Sequence, residues 1–421
     1  VTRVYSCSIV MSTFTYWKKL KQTEIQKHVF AALDQNVNYR EQNILGIPAS
    51  HLDDKVFSQD EAFLKNAPFI STMVQNPNHI GCHTLGHSEP FFAGTQQIEQ
   101  DTIDICAVDI LKAEPHSCDG YIASGGTEAN IQAIWIYRNY YQTEMDAQCN
   151  EISIICSVDS HYSMDKAANL LGIQIHKVAV DRDKRSISAH TIKDTISTAK
   201  NNGAKYFIVI ANMMTTMYGS VDDIDAYTST LSETNSPFKL HVDGAYGGFY
   251  FPFSAEHNQL NFANEHVSSV TLDAHKMAQA PYGTGIFLAR KDLIAYANTK
   301  ASYVEGEDYT LIGSRSGANA VAVWMILVTN GPFGWFEKVY ILQKRTEWMC
   351  QKLEEHGLKY YRNTYANIIT LHAEGVSPEV AHKYGLVPDN HANPSWYKIV
   401  IMEHVTLEKL HMLLAEFENA V

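Results

Sequence analysis

The sequence predicts an α/β protein with a mostly parallel central sheet covered by helices. Three observations carry that prediction. From about residue 100, short runs of apolar, β-branched residues alternate with stretches of helical periodicity. Those runs are mostly apolar rather than strictly alternating apolar and polar, as strands buried on both faces tend to be. After about residue 315 the rhythm changes to two long helices, 316–330 and 334–356, followed by short strands between helices.

Taken in order, residues 1–60 read as an N-terminal arm, with a helical stretch at Tyr16–Leu33 and then an irregular segment. Residues 61–312 read as the large α/β domain. Its strands are expected at Tyr121–Ala123, Ile152–Ser157, Ile175–Val180, Tyr206–Ala211, Leu240–Asp243, Val267–Leu272 and Ile286–Ala289. Each is a β-rich run bounded by turn-forming residues. The intervening helices are expected at Thr127–Tyr141, Asp165–Leu171, Ala189–Lys200 and Ile224–Glu233. Residues 313–421 read as a smaller α+β domain that ends in the helix Leu407–Ala420.

The 33 basic residues against 46 acidic ones give a net charge of −13. No basic stripe exists to neutralise phosphates, so a nucleic-acid partner is not expected. Arg182–Arg185 is the densest basic run and reads as a solvated loop. The longest apolar run, Ala320–Val328, is well short of the ~20 residues of a membrane span, and no signal-peptide layout opens the chain. Residues 1–10 read as sequence upstream of a start at Met11. Seven cysteines without a CxxC pair point to reduced thiols and a cytoplasmic location.

Ligands of open parallel sheets bind beyond the carboxyl ends of the strands, and four segments there carry chemistry. Ser124-Gly-Gly-Thr-Glu-Ala-Asn130 is a glycine turn opening a helix, suited either to an anion or simply to a turn. Asp159-Ser-His161-Tyr-Ser163 places an imidazole where it stacks on a planar ring, shuttles a proton or is merely structural. In His241-Val-Asp243-Gly-Ala245-Tyr-Gly-Gly248, an acid followed by small residues leaves room for a flat ligand. Asp243 there holds a protonated ring nitrogen or a metal, or caps a helix. In Asp273-Ala-His275-Lys276, a lysine that loses its proton on desolvation is a Schiff-base former, whereas a solvated one is not.

In this order and spacing, SGGTEAN, SHYS, HVDGAYGG and DAHK resemble the group II pyridoxal-phosphate decarboxylases of fold type I. The likeness covers about residues 75–330 and, more loosely, the rest. It implies that Lys276 carries the cofactor as a Schiff base, that Asp243 pairs with the pyridinium nitrogen and that His161 stacks on the ring. Ala245 then presses the opposite ring face, while Gly126, Thr127 and His275 hold the phosphate. Thr216 matches a threonine near the cofactor, with Thr215 the competing register. Gly313 or Ser314 reaches the partner subunit's phosphate, since family members place this region at a dimer interface.

The implied activity is α-decarboxylation of an L-amino acid to the amine and CO2, by a homodimer with active sites at the subunit interface. The physical logic agrees, because loss of CO2 leaves a carbanion that a protonated pyridine ring stabilises. The short interval from Lys276 to Gly313 also resembles archaeal tyrosine/aspartate decarboxylases and sphingosine-1-phosphate lyases. A carbon–carbon lyase is therefore the alternative activity. A catalytically silent scaffold is a third reading, opposed by the intact Lys276, Asp243 and His161.

Three further groups bear on the substrate. His79, His83 and His87 recur at helical spacing, but Pro77, Gly81 and Gly86 argue for a loop, and no metal is expected. In the family that loop lines the substrate pocket. Arg315 either binds a carboxylate or is structural. Phe91 and Phe92 either line a hydrophobic slot or belong to the core. Tyr303 and Tyr309 are the candidates for delivering the proton to Cα.

Overall fold

The computed structural model describes residues 14–38, 42–46, 52–53, 55–58, 60–75, 90–299, 302 and 307–418. The expectations for residues 1–10, Met11, His79, His83, His87 and Tyr303 lie outside them. The chain forms helices α1 (Gln22–Gln35), α2 (Pro68–Gln75) and α3 (Ala93–Asp104) before the first strand. Then follow β1 (Cys118–Ala123), α4 (Gly126–Met145), β2 (Ile152–Ser157), α5 (Ser163–Leu171), β3 (Gln174–Val178), α6 (Ala189–Asn201), β4 (Tyr206–Asn212) and α7 (Ile224–Glu233). Next come β5 (Phe238–Gly244), the short α8 (Phe251–Ser254), β6 (Val267–Asp273), β7 (Gly285–Arg290) and α9 (Gly317–Glu355). The C-terminal part adds β8 (Tyr360–Tyr361), β9 (Ile368–His372), α10 (Pro378–Lys383), β10 (Val387–Pro388), β11 (Trp396–Val400) and α11 (Leu407–Glu418).

The large sheet has the order β1-β7-β6-β5-β4-β2-β3, and only β7 runs against the rest. Side-chain alternation divides its core between two faces. Ile154, Ile208, Ile210 and Phe287 pack with α4 and α5, whereas Ile155, Val209, Val242 and Val270 pack with α3, α7 and α9. This explains the mostly apolar runs, since neither face of a central strand meets water. A second, antiparallel sheet of order β10-β11-β9-β8 packs against α11 and the second half of α9, through Met349, Leu353, Ile369 and Leu413.

One departure from expectation, and one expected break, have local causes. The N-terminal helix starts at Gln22, not Tyr16, because the preceding amides are already engaged. Asp109 accepts from the N–H groups of Thr15, Tyr16 and Trp17 at 2.7, 2.8 and 2.6 Å, pinning an extended strap. Trp17 buries its ring and donates its indole N–H to the Leu327 carbonyl at 2.7 Å. The expected pair of long helices is present as the two halves of α9, which leaves helical geometry at Gly331 (φ 64°, ψ 173°), just before Pro332. A side chain at Gly331 would approach the Lys19 backbone to 3.0 Å, so both its conformation and the strap demand glycine.

Arg182–Arg185 is not wholly the solvated loop expected. Arg185 leaves solvent, pairs with Asp159 and lies 3.7 Å over the Tyr218 ring.

Candidate active site

Strands β1, β2, β4, β5 and β6 are parallel, so their carboxyl ends share one edge of the sheet. The four motifs lie at or just beyond those ends. A narrow recess opens there. Of the predicted residues, His161, Thr216, Asp243, Ala245 and Lys276 line it, together with Thr215. Asn212, Met214 and Tyr246 also line it and were not singled out from the sequence. Met214 adopts φ 69°, a left-handed conformation uncommon for such a residue, at the floor of the recess. The two threonines differ in use. Buried Thr215 shares a 2.7 Å hydrogen bond with Ser220, while Thr216 is exposed and free to meet a ligand.

Asp243 is 7% exposed. One carboxylate oxygen accepts the Ala245 N–H at 3.1 Å and the other the Asn130 amide at 3.0 Å. Among the described residues no lysine, arginine or histidine forms an ion pair with it. A buried carboxylate supported only by neutral donors is short of a counter-ion, and a protonated ring nitrogen supplies one.

His161 is half-buried. The Ser163 N–H donates to its Nδ1 at 3.2 Å, so Nδ1 is an acceptor and a neutral ring carries its proton on Nε2. Burial holds the imidazole below its ordinary pKa; Asp243 opposes that shift and Lys276 adds to it. Neutral at physiological pH, the ring suits stacking on a planar ligand.

At β6, buried Asp273 gathers the neighbouring charges. Its carboxylate lies 3.6 Å from Lys276 Nζ and 2.9 Å from His275 Nδ1, the latter without hydrogen-bond alignment. It also accepts the Gly126 N–H at 3.2 Å. Burial raises the Asp273 pKa, and Lys276 and His275 pull it back down. A side chain at Gly126 would come within 3.0 Å of the Ala245 methyl, and one at Gly285 within 2.4 Å of Gly125. These glycines let the turn press against β7 and the recess. Thr127, in the first turn of α4, has no hydrogen-bond partner for its hydroxyl among the described residues, and His275 lies beside this turn. Free donors at a helix N-terminus fit a phosphate. The Asp243 carboxylate without a counter-ion among the described residues, the open donors at Thr127 and the lysine in the recess fit the ring nitrogen, phosphate and aldehyde of pyridoxal phosphate.

Other expected residues lie elsewhere. Ser314 is exposed and does not line the recess. Tyr309 bonds Glu307, and burial with that carboxylate pushes its phenol up to about 12. Phe92 is 2% exposed and belongs to the core, with Phe91 packed edge-on against it at 6.3 Å. Arg315 takes the structural alternative rather than the substrate-binding one. Its guanidinium is buried, paired with Glu99 and stacked 5.0 Å from the Tyr121 ring. Replacing Arg315 with leucine strands Glu99, which is 0% exposed, and is expected to cost about 3–5 kcal/mol of stability. Urea unfolding measures this; an unchanged midpoint with a raised KM would restore the substrate role.

Sequence reasoning missed Asn130 as a ligand of Asp243, and it missed Lys398. From β11 of the small sheet, Lys398 donates to the Thr216 carbonyl at 2.9 Å. Burial, then repulsion from Lys276, holds its ammonium below the usual lysine pKa. Only folding brings a residue so distant in sequence to the recess.

Asn212 leads to a buried acid behind the recess. Asp222 accepts the Asn212 N–H at 2.9 Å and its amide at 2.6 Å, and burial raises its pKa to about 7. Between pH ~4 and ~7 the unfolded chain has lost this proton and the folded chain has kept it, so stability falls as pH rises. Asp222→Asn does not titrate. Its stability relative to the native protein is therefore expected to rise across that window by a few kcal/mol (about 1.4 per pH unit) and then level off. Thermal unfolding at pH 4, 5.5 and 7 tests this, and a constant difference would place the proton elsewhere.

Comparison with known proteins agrees with this geometry. The pyridoxal-dependent decarboxylase conserved domain matches residues 53–356. Tryptophan decarboxylase from Clostridium sporogenes is 49% identical over 407 residues, covering 96% of this chain and 97% of that one. A probable L-tyrosine/L-aspartate decarboxylase from Methanocella arvoryzae is 28% identical over 391 residues, 88% of this chain and 98% of its own. Among solved structures, L-methionine decarboxylase from Streptomyces aligns with a TM-score of 0.70 at 20% identity, covering 86% of this chain and 90% of that one. Sphingosine-1-phosphate lyase from Burkholderia pseudomallei aligns at 0.67 and 19%, covering 77% of each. At those identities the structures share the fold, which favours neither lyase nor decarboxylase. The conserved domain and the 49% relative decide between them: this chain belongs to the pyridoxal-dependent decarboxylase family, and its activity is pyridoxal-phosphate-dependent decarboxylation of an amino acid.

Proposed function

We propose that the substrate is an aromatic L-amino acid, L-tryptophan first, and that Lys276, Asp243 and His161 carry the reaction. The observation that carries the assignment of roles is their meeting in one recess, where the Asp243 carboxylate has no counter-ion among the described residues. Tryptophan is favoured by the 49% identity to a tryptophan decarboxylase over nearly the whole of both chains.

Pyridoxal phosphate, when bound, supplies the electron sink for the pair of electrons left at Cα as CO2 departs. Lys276 Nζ is the amine that binds its aldehyde, and Asp273 holds that side chain at the mouth of the recess. Asp243 keeps a proton on the ring nitrogen by placing an opposite charge beside it in a partly dry site. His161 would cover one ring face and Ala245 the other, since both line the recess. Thr127 and His275 would take the phosphate at the turn that Gly126 closes onto Asp273, and Thr216 would stand near the ring.

Lys398 is the cation available to a substrate carboxylate at the rim. Lys398→Ala is expected to raise KM about tenfold or more, the loss of a charge-assisted bond, and to change kcat less. An unchanged KM would remove this role.

A homodimer in the cytoplasm completes the proposal. Tyr282, stacked on His275, is 88% exposed, and Leu311 and Ile312, three and two residues before Ser314, are exposed apolar side chains. Such a surface beside the phosphate end favours cover by a second subunit. All five cysteines among the described residues are free. Amine formation from separate L-amino acids tests the substrate. Tryptophan is expected to give the highest kcat/KM, and preference for aspartate or tyrosine would contradict the proposal.

A further inference from the structure

A continuous hydrogen-bond chain runs beneath the recess, and its direction is set by groups that have no choice of role. Carboxylate oxygens accept, so the Asn130 face toward Asp243 is the amino group, 3.0 Å from Oδ2. That same amino group donates to Ser163 Oγ at 3.0 Å. Asn130 Oδ1 therefore faces His241 Nε2 at 3.0 Å, and Nε2 must donate. His241 Nδ1 in turn takes the hydroxyl of Ser269 at 2.6 Å, and Ser269 is bonded to Tyr137. Thr271 Oγ1 also lies 3.1 Å from Nε2 and accepts a share of that proton. At the other end, the Ser163 hydroxyl is 2.9 Å from His161 Nδ1, which already accepts the Ser163 N–H.

Every link agrees with a neutral His241. The ring is 0% exposed, and burial lowers its pKa to about 4 against the pull of Asp243. Asn130 is 1% exposed and has spent both amino hydrogens and its oxygen on these partners. An amide so placed cannot flip without setting its oxygen against the Asp243 carboxylate.

We propose that Asn130, aimed by the Nε2–H of His241, is a positioning residue that sets Asp243 and His161 as one unit. One amino group holds the carboxylate meant for the ring nitrogen and, through Ser163, orients the imidazole meant for the ring face. Neither Asn130 nor His241 need touch the cofactor. The inference rests on the roles proposed above for Asp243 and His161.

The two nitrogens of His241 can be separated by substitution. A glutamine amide reaches the Nε2 position and keeps the donor to Asn130; an asparagine amide reaches only the Nδ1 position and loses it. The measurement is the dissociation constant of pyridoxal phosphate from cofactor-free protein, followed by the quenching of intrinsic fluorescence. His241→Asn is expected to weaken binding about tenfold or more, as the loss of aim on a charged acceptor requires. His241→Gln is expected to remain within about threefold of the native value. Equal affinities in the two variants would overturn the proposal, because a packing role does not distinguish the two ends of the ring.

Asn130→Asp, the same shape without the donor, provides a second arm and is expected to bind at least about tenfold more weakly. Native affinity in that variant would also overturn the proposal. Asp243→Ala is measured alongside. If it too binds like the native protein, the assigned role of Asp243 has failed; if it binds weakly while His241→Asn does not, the positioning role alone has failed.

Discussion

Lys276→Ala is expected to release no CO2 above background from any amino acid, while its unfolding temperature stays near that of cofactor-free native protein. The side chain is 30% exposed, and its contact in the protein is a 3.6 Å ion pair with Asp273. Buried Asp273 keeps His275 at 2.9 Å and the Gly126 N–H when this partly exposed partner is lost, so the cost in stability is expected to be small. What the substitution removes is the only amine lining the recess among the described residues, and with it covalent attachment of the cofactor. The visible absorption of lysine-bound cofactor should vanish too. Activity close to the native level would show that the nucleophile lies elsewhere, whatever the family.

Asp243→Ala is expected to lower kcat on the order of a thousandfold, the scale at which losing a charge aimed at the reacting system acts. It should also weaken cofactor binding. The cofactor-free protein is expected to behave in the opposite sense. Asp243 is buried without a counter-ion among the described residues, so its removal should leave stability unchanged or slightly raised, offset by one stranded amino hydrogen of Asn130. Asp243→Asn keeps the shape and both neutral contacts within reach but not the charge, and it should be nearly as slow as the alanine variant. A rate within about tenfold of native in both would reduce Asp243 to a structural group.

Much of the fold was legible because strands buried on both faces advertise themselves as apolar runs. All seven expected strands of the large sheet appear within a few residues of their expected bounds. The reversed direction of β7 was not foreseen, although the interval Ala274–Thr284 is shorter than the dozen or so residues a parallel crossover needs. The motif residues Lys276, Asp243, His161 and Ala245 could be read from the sequence because each lies at or just beyond the end of a strand at the same edge. Asn130 escaped notice because it lies one turn inside α4, where an asparagine has many unremarkable uses. His241 alternates with Asp243 along β5 on the same face, so its partnership was in principle readable from the strand period. Lys398 was beyond reach, since nothing local ties β11 to Thr216. Arg315 was misleading for a different reason. An arginine beside a ligand-binding segment suggests carboxylate recognition, and only its buried partner Glu99, on α3, shows that the charge is already matched.

The most direct test of the account is the stoichiometry of CO2 and amine produced from L-tryptophan by protein loaded with pyridoxal phosphate. One CO2 per tryptamine, with a single deuteron at the former Cα when the reaction is run in D2O, is the predicted result. Turnover of the amino acid without CO2, through cleavage of a side-chain bond, would contradict it.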